Sequence, residues 1–243
     1  MRNQVAIIGP EPWMLEISGA ALELPTDAPG PLSARLASAS RETAAELKVR
    51  GLEVVDPSET AGTRGAIDTA AELIAVAPSL EAIVRRCVKE IVILRSGGEC
   101  FDVSHSEPRW PTRVFVSVPT CPIVGDLRLA EGVVHEAMHL NLTFLEDRAQ
   151  LTMGSELMYS PWRIEPRPAS GVLHGLYVFA CIYRFFEHIS RQLLLDDCRK
   201  RHIRQRLADI TAEVFSIERL QLLQCLTPSG KLLAEDLFAV IRP

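Results

Sequence analysis

The 243-residue chain lacks several features that would assign it to a class at once. Its six cysteines include no C-x-x-C pair, which argues against a zinc ribbon and a thioredoxin-like redox site. The formal net charge of -5 gives no general attraction to nucleic acid or an anionic membrane. The longest apolar stretch, 172–186, contains His174 and Arg184 and falls short of a membrane span. We therefore expect neither nucleic acid nor a membrane as partner.

The beginning of the sequence, MRNQVAIIGPEPWMLEIS, lacks the long apolar core and small-residue cleavage site of a secretory signal. We therefore expect a cytoplasmic protein whose cysteines are reduced thiols. The composition, 47% hydrophobic and 23% charged, is ordinary for a globular protein and predicts a buried core.

The order of sequence patterns predicts an α+β fold that is predominantly helical. Residues 1–88 are mostly helical in composition, and residues 89–119 contain the strand-like segments KEIVILRS, CFDVSHS and TRVFVSVP. Residues 120–243 return to helical patterns and form the expected metal-binding core. Because no linker or repeat interrupts the chain, we expect a single domain over 1–243, a helical bundle with a small β-sheet.

Individual elements follow from the same patterns. Early helices are expected at 32–50 and at 66–88, the second with a kink before Pro78. The first two strand-like segments are expected to pair with each other. Apolar residues surround nearly the whole circumference of a helix that begins after Asp126, which predicts a central buried helix. The later helices are expected at Leu127–Asp147, Val172–Asp196, Arg201–Gln224 and Leu232–Ile241, with SPWRIEPRPASG as a loop.

The buried helix contains the pattern H-E-x-x-H in GVVHEAMHLNL. His135 and His139 lie four residues apart, so they share one helix face and can bind one metal ion. Glu136 reaches the edge of the same site, where it can act as an acid or base. Two imidazoles and a carboxylate are costly to bury without partners, and a metal ion would remove much of that cost.

A tight site needs a third ligand. His174, in GVLHGLY, is our first candidate, because flanking glycines would let the backbone approach the metal-binding helix closely. Glu146, Glu156 and His105 are the alternatives.

The segment SPWRIEPRP places two arginines among prolines. Arg163 and Arg167 are suited to binding a carboxylate through two parallel hydrogen bonds if the prolines hold them in place. Pairing with Glu165 or another surface acid is an equally good interpretation of the sequence.

Three blocks carry a resemblance to a known family: DVSHSEPRWPTRVFVSVP, LAEGVVHEAMHLNLTFLED and YSPWRIEPRPASGVLHGLYVF. Over about Asp102 to Phe186 the chain resembles the HExxH-type 2-oxoglutarate-dependent peptide β-hydroxylases. These iron enzymes are associated with ribosomally synthesised, modified peptides and thus with natural product biosynthesis. H-E-x-x-H alone is shared with many zinc peptidases, so the third block makes the resemblance more specific.

The resemblance implies Fe(II) on His135, His139 and His174, with 2-oxoglutarate held by Arg163 or Arg167 and a peptide as substrate. Iron oxygenases usually use two histidines and one carboxylate, so Glu136 is a ligand, an orienting group or a base. One alternative is a zinc metallopeptidase with Glu136 as general base. Another is a non-catalytic, partner-binding helical protein, whose apolar C-terminal half is also suited to forming a homodimer.

Overall fold

The structure, a computed structural model, describes residues 5–7, 11–17, 30–59, 62–98 and 101–241. It is predominantly helical with small β-sheets, so the predicted α+β class is confirmed. Contacts divide the chain into two compact units, which we describe separately. The sheet unit comprises Leu24–Leu140 and Asp196–Arg199; the hairpin unit comprises Met1–Glu23, Asn141–Leu195 and Lys200–Pro243. The prediction of one domain stays a prediction.

In its described residues, the sheet unit contains three α-helices, a three-stranded sheet and most of a fourth α-helix. Its elements are α1 (Arg41–Val49), α2 (Thr63–Ala75), α3 (Pro78–Cys87), β3 (Glu90–Leu94), β4 (Ser104–Ser106), β5 (Arg113–Ser117) and α4 (Gly125–Glu146). The predicted helix at 32–50 begins only at Arg41, because the hydroxyl of Ser40 accepts from the backbone N–H of Thr43 and caps α1. Pro78 divides the predicted helix at 66–88 into α2 and α3.

The three-stranded sheet differs from the predicted pairing. Its order is β3-β5-β4, with β5 parallel to β3 and antiparallel to β4. CFDVSHS therefore pairs with TRVFVSVP rather than with KEIVILRS. Sequence patterns locate strands but do not choose their partners, which depend on how the connecting chain packs. The buried core beside this sheet contains Leu47, Val92, Leu94 and Phe115.

The hairpin unit begins with a short strand pair and is otherwise mostly helical. Its elements are β1 (Val5–Ile7), β2 (Leu15–Ile17), the end of α4 from Asn141, β6 (Leu157–Ser160), β7 (Glu165–Pro168), α5 (Ala169–Gln192), α6 (Asp197–Phe215, from Lys200), α7 (Arg219–Gln224) and α8 (Pro228–Val240). The predicted loop 160–171 instead forms the tip of the antiparallel β6–β7 hairpin, strand β7 and the start of α5. Its prolines mark an edge strand rather than a loop.

Helix α5 is the central apolar element of the hairpin unit. It is long and apolar enough to cross a membrane, but 72% of its most apolar window is buried by protein. The hydroxyl of Tyr177 on α5 accepts a hydrogen bond of 2.7 Å from the side-chain amide of Asn141. This bond satisfies two polar groups within an otherwise apolar environment.

Candidate metal centre

Helix α4 brings the two histidines of the H-E-x-x-H pattern together. The Nε2 atoms of His135 and His139 lie 3.2 Å apart, and the two rings meet edge-on with centroids 4.8 Å apart. The side chain of His135 is 26% exposed, and His139 is also half-buried. The pair is therefore accessible enough to receive a ligand, while the residues around it on α4 are largely buried.

The separation of the two nitrogens fits a shared metal ion. Two imidazole nitrogens bound to one ion through bonds of about 2.1 Å lie roughly 3.0 to 3.4 Å apart for bond angles of about 90° to 109°. The observed 3.2 Å falls within that range. It equally suits a hydrogen bond from a protonated to an unprotonated ring nitrogen. The donor set fits a divalent cation of the nitrogen-preferring group, such as Fe(II) or zinc.

Glu136 faces the sheet and is held there by two serines. Ser104 donates from Oγ to Oε1 of Glu136, and Ser106 donates to Oε2, both at 2.6 Å. Glu136 is only 4% exposed, while its Oε1 lies 3.9 Å from Nε2 of His135. Both carboxylate oxygens thus have fixed hydroxyl partners, which compensates for their burial.

The two serines were missed by reasoning from the sequence. They flank His105 in the S-H-S of strand β4, so Ser104 and Ser106 share one face and His105 occupies the other. The signal in the sequence was the spacing of Ser104 and Ser106, because residues two apart on a strand place both hydroxyls on one face. Their partner, Glu136, could not be identified without the fold.

The alternation on β4 also removes His105 from the candidates for third ligand. Its ring lies near Phe115, with centroids 5.9 Å apart, and its Nε2 is 3.8 Å from Oε2 of Glu107. It therefore points away from the face on which the serines hold Glu136.

In the hairpin unit, His174 is bound to a carboxylate. Its Nε2 lies 2.6 Å from Oε2 of Glu146, and the two side chains are 16% and 26% exposed. The contact unites two of the predicted candidates for third ligand in one pair. The remaining candidate, Glu156, instead accepts a hydrogen bond of 3.2 Å from the thiol of Cys225.

One of the two glycines around His174 makes room for an aromatic ring. A Cβ atom at Gly175 would lie 2.3 Å from the ring of Trp162, so this glycine lets the hairpin tip pack against α5. Trp162 then stacks on Phe179, with ring centroids 5.0 Å apart and planes inclined by 15°. The contact fixes the β6–β7 hairpin relative to α5 within the hairpin unit.

The two arginines lie on that hairpin. Arg163 is exposed at the tip. The Nε of Arg167 lies 2.8 Å from Oε1 of Glu165, an ion pair whose angle is too poor for a hydrogen bond. Pairing with Glu165 was the alternative left open by the sequence. The role of both arginines in holding 2-oxoglutarate stays a prediction.

Two of the described cysteines are deeply buried thiols. Burial raises the pKa of Cys87 to about 12, and burial also raises the pKa of Cys181 well above its ordinary value. These buried thiols remain protonated near neutral pH and behave as small apolar side chains.

The structure thus brings together part of the predicted site. His135, His139 and Glu136 are joined with Ser104 and Ser106 in the sheet unit. His174 is joined with Glu146 in the hairpin unit. Within the ranges that the structure describes, no group of three or more His, Cys, Asp or Glu side chains is arranged to hold a metal ion. The complete three-histidine set therefore stays a prediction.

The chain matches no protein-family model and no curated protein sequence.

Proposed function

We propose that this chain is an Fe(II)- and 2-oxoglutarate-dependent hydroxylase that acts on a β-carbon of a peptide, a ribosomally synthesised precursor. His135 and His139 would hold the metal, with His174 as the third ligand. Fe(II) with 2-oxoglutarate supplies hydroxylation of a C–H bond by O2, while 2-oxoglutarate is converted to succinate and CO2. The choice of iron and 2-oxoglutarate rests on the family resemblance, and the metal site rests on the geometry of the histidine pair.

The observation that carries the proposal is the state of Glu136 beside that pair. A general base must be able to take a proton from a water molecule at the metal. Both oxygens of Glu136 already accept hydroxyl hydrogen bonds at 2.6 Å, and the residue is almost wholly buried. Its geometry therefore supports an anchoring role. Such a role is compatible with hydroxylation, which needs no general base at this position, whereas hydrolysis needs one.

One distance favours a second candidate, a zinc metallopeptidase. Oε1 of Glu136 lies 3.9 Å from Nε2 of His135, which is close enough to reach a water molecule beside a metal there. Each carboxylate oxygen has a second lone pair in addition to the one that its serine occupies. In this alternative, Glu136→Gln should bind metal normally and lose nearly all turnover. Substantial turnover in that variant excludes hydrolysis with Glu136 as base.

The test begins with protein purified without oxygen and loaded with Fe(II). Addition of 2-oxoglutarate should produce a visible charge-transfer band, which His135→Ala and His139→Ala should abolish. His188→Ala is the matched control, because His188 lies on α5 and pairs with Glu11 at 3.0 Å instead. If the protein instead binds zinc stoichiometrically, shows no charge-transfer band and cleaves peptides, it is a metallopeptidase and the hydroxylase proposal is wrong.

The arginines provide an independent test of the cosubstrate. The distal carboxylate of 2-oxoglutarate needs a cationic partner, and one of Arg163 and Arg167 is the predicted partner. Arg163→Met or Arg167→Met should raise the 2-oxoglutarate concentration required for succinate formation at least about tenfold, or on the order of 1.4 kcal/mol. Metal content should not change. Unchanged curves for both variants would remove these arginines from the cosubstrate site.

A further inference from the structure

The outer edge of β6 has a backbone that is suited to pairing with another strand. In the hairpin, Leu157 is opposite Pro168 and Tyr159 is opposite Pro166. Antiparallel pairs alternate between hydrogen-bonded and non-hydrogen-bonded positions, and proline has no N–H to donate. These two pairs are therefore the non-hydrogen-bonded ones. The N–H and C=O groups of Leu157 and Tyr159 must point away from β7.

A backbone hydrogen bond next to the two strands confirms which pairs are hydrogen-bonded. The backbone N–H of Ala169 donates to the carbonyl of Glu156 at 3.2 Å, so this pair is hydrogen-bonded and the next pair is not. Within the described part of the chain, no backbone hydrogen bond from outside the hairpin reaches Leu157 or Tyr159. The two residues are 60% and 50% exposed, so the backbone edge and the side chains are accessible together.

The two edges of the hairpin differ. On β7, Pro166 and Pro168 stand at the positions whose backbone nitrogens face outward, so that edge offers no N–H donor there. Natural sheets use proline in this way to prevent strands from adding at an edge. On β6, the corresponding outward positions are Leu157 and Tyr159, which retain their donors. Of the two edges of this hairpin, only that of β6 can therefore accept an additional strand through regular pairing.

The charges near this edge favour an acidic residue in the added strand. Arg163 is exposed at the hairpin tip and forms no ion pair with the described residues. Glu165 and Arg167 largely neutralise each other at 2.8 Å. The hairpin therefore presents one uncompensated guanidinium, for which a carboxylate is the matching group.

We propose that the outer edge of β6 binds an extended peptide segment as a third strand, with apolar or β-branched side chains beside Leu157 and Tyr159 and an acidic residue beside Arg163. Backbone hydrogen bonds would supply affinity, and alternate side chains would supply selectivity. A second copy of the chain is a poorer occupant. A four-residue strand with two outward residues offers far less than the roughly 1,200 Å² that a stable interface buries.

This inference rests on the proposed function in identifying the peptide as substrate and in leaving the 2-oxoglutarate carboxylate to Arg167, because Arg163 cannot serve both carboxylates. Binding can be measured without metal, 2-oxoglutarate or turnover. A hydroxylase whose β6 edge does not bind peptide would overturn the inference alone. Peptide binding in a protein that forms no succinate would overturn the proposed function alone.

The probe is the blocked peptide acetyl-Thr-Val-Thr-Val-Thr-Asp-amide, and the measurement is residue-specific amide hydrogen exchange by NMR. At about 90% occupancy, exchange at Leu157 and Tyr159 should slow roughly tenfold. Exchange at Met158 should change little, because its N–H faces β7. No slowing at either outward amide at millimolar peptide would overturn the inference.

Two substitutions separate the backbone from the side chain. Tyr159→Ala retains the outward N–H and should weaken peptide binding by only about threefold, whereas Tyr159→Pro removes that N–H and should weaken it at least about tenfold. Equal effects of the two substitutions would argue against strand addition. If Tyr159→Pro does not fold, the exchange pattern of Tyr159→Ala with peptide still decides the matter.

The acidic preference has its own control. Replacement of Asp by Asn in the probe should weaken binding to the wild type several-fold and leave binding to Arg163→Glu unchanged or improved. Equal preference in both proteins would remove Arg163 from the interaction. Amide exchange at Leu157 and Tyr159 can also be followed without peptide as the protein concentration rises. If this exchange slows and the molecular mass rises with it, the occupant is a second copy of the chain, and the peptide assignment is overturned.

Discussion

Glu136 and Glu146 lie ten residues apart on α4 and have opposite environments. Glu136 is 4% exposed, and each of its oxygens accepts from a serine on β4. Glu146 has a side chain that is 26% exposed and contacts one imidazole, that of His174. A buried carboxylate needs hydrogen-bond donors that the protein supplies, whereas water can donate to a half-exposed one.

The carboxylates of Glu136 and Glu146 are chemically identical but are suited to different roles. Glu136 is positioned by hydroxyls that carry no charge, so it fixes α4 against β4 beside the histidine pair. Glu146 is positioned against a group that can exchange a proton or bind a metal. The carboxylate of the H-E-x-x-H pattern is therefore the better anchored of the two, and the carboxylate outside it is the better placed to orient an imidazole.

The largest expected effect is on metal binding by the pair beside Glu136. His135→Ala or His139→Ala should reduce the affinity for Fe(II) or zinc by on the order of 100-fold or more, because the helix then supplies one nitrogen instead of two. Titration calorimetry under anaerobic conditions measures this, with His188→Ala as control. Full occupancy in either variant would mean that the 3.2 Å approach is a hydrogen bond between core histidines.

The second prediction concerns the anchoring of Glu136. Glu136→Leu should lower the free energy of unfolding by about 2 kcal/mol, because Ser104 and Ser106 lose their acceptor. Glu136→Gln retains an oxygen and similar shape and should cost about half as much or less. Urea unfolding of the metal-free protein measures both. Equal and small losses would show that burial of this carboxylate contributes little to stability.

A smaller effect is expected at Glu146. Glu146→Gln should lower the free energy of unfolding by only about 0.5–1 kcal/mol, because water can replace part of its contact with His174. The same unfolding experiment applies, and Glu156→Gln is a matched control in the same unit. If Glu146→Gln costs more than Glu136→Leu, the contrast between the two carboxylates is wrong.

A third carboxylate, Glu107, gives the smallest expected effect and a dependence on pH. Burial raises the pKa of Glu107, but hydrogen bonds from Arg50 and Arg109 outweigh burial and hold that pKa below its ordinary value. A depressed pKa in the folded state contributes stability above the unfolded pKa, and that contribution disappears as the pH falls through the folded pKa.

Glu107→Gln should therefore be less stable than the wild type at pH 7 by no more than about 1 kcal/mol, and the two should converge at acid pH. Urea unfolding across this pH range measures the difference. A difference that persists unchanged below the folded pKa would show that Glu107 acts through packing rather than charge.

Much of the local structure was determined by the sequence itself. A segment rich in Ile and Val located β3, and a period-two pattern located β5. An all-round apolar pattern located α4 within two residues at its beginning and one at its end. Helical geometry alone required His135 and His139 to share one face, since residues four apart do so in any α-helix. These features depend on neighbours along the chain, so they can be read from the chain.

Tertiary structure decided the partners of these groups. That Ser104 and Ser106 would hold Glu136, or that Gly175 would receive the ring of Trp162, depends on residues brought together from distant positions. The prolines of SPWRIEPRP predicted a loop, but pairing with β6 made them an edge strand. The face of a helix or strand on which a residue lies follows from local backbone geometry. What each side chain meets follows from packing, because many pairings satisfy the same local pattern and only the folded chain selects among them.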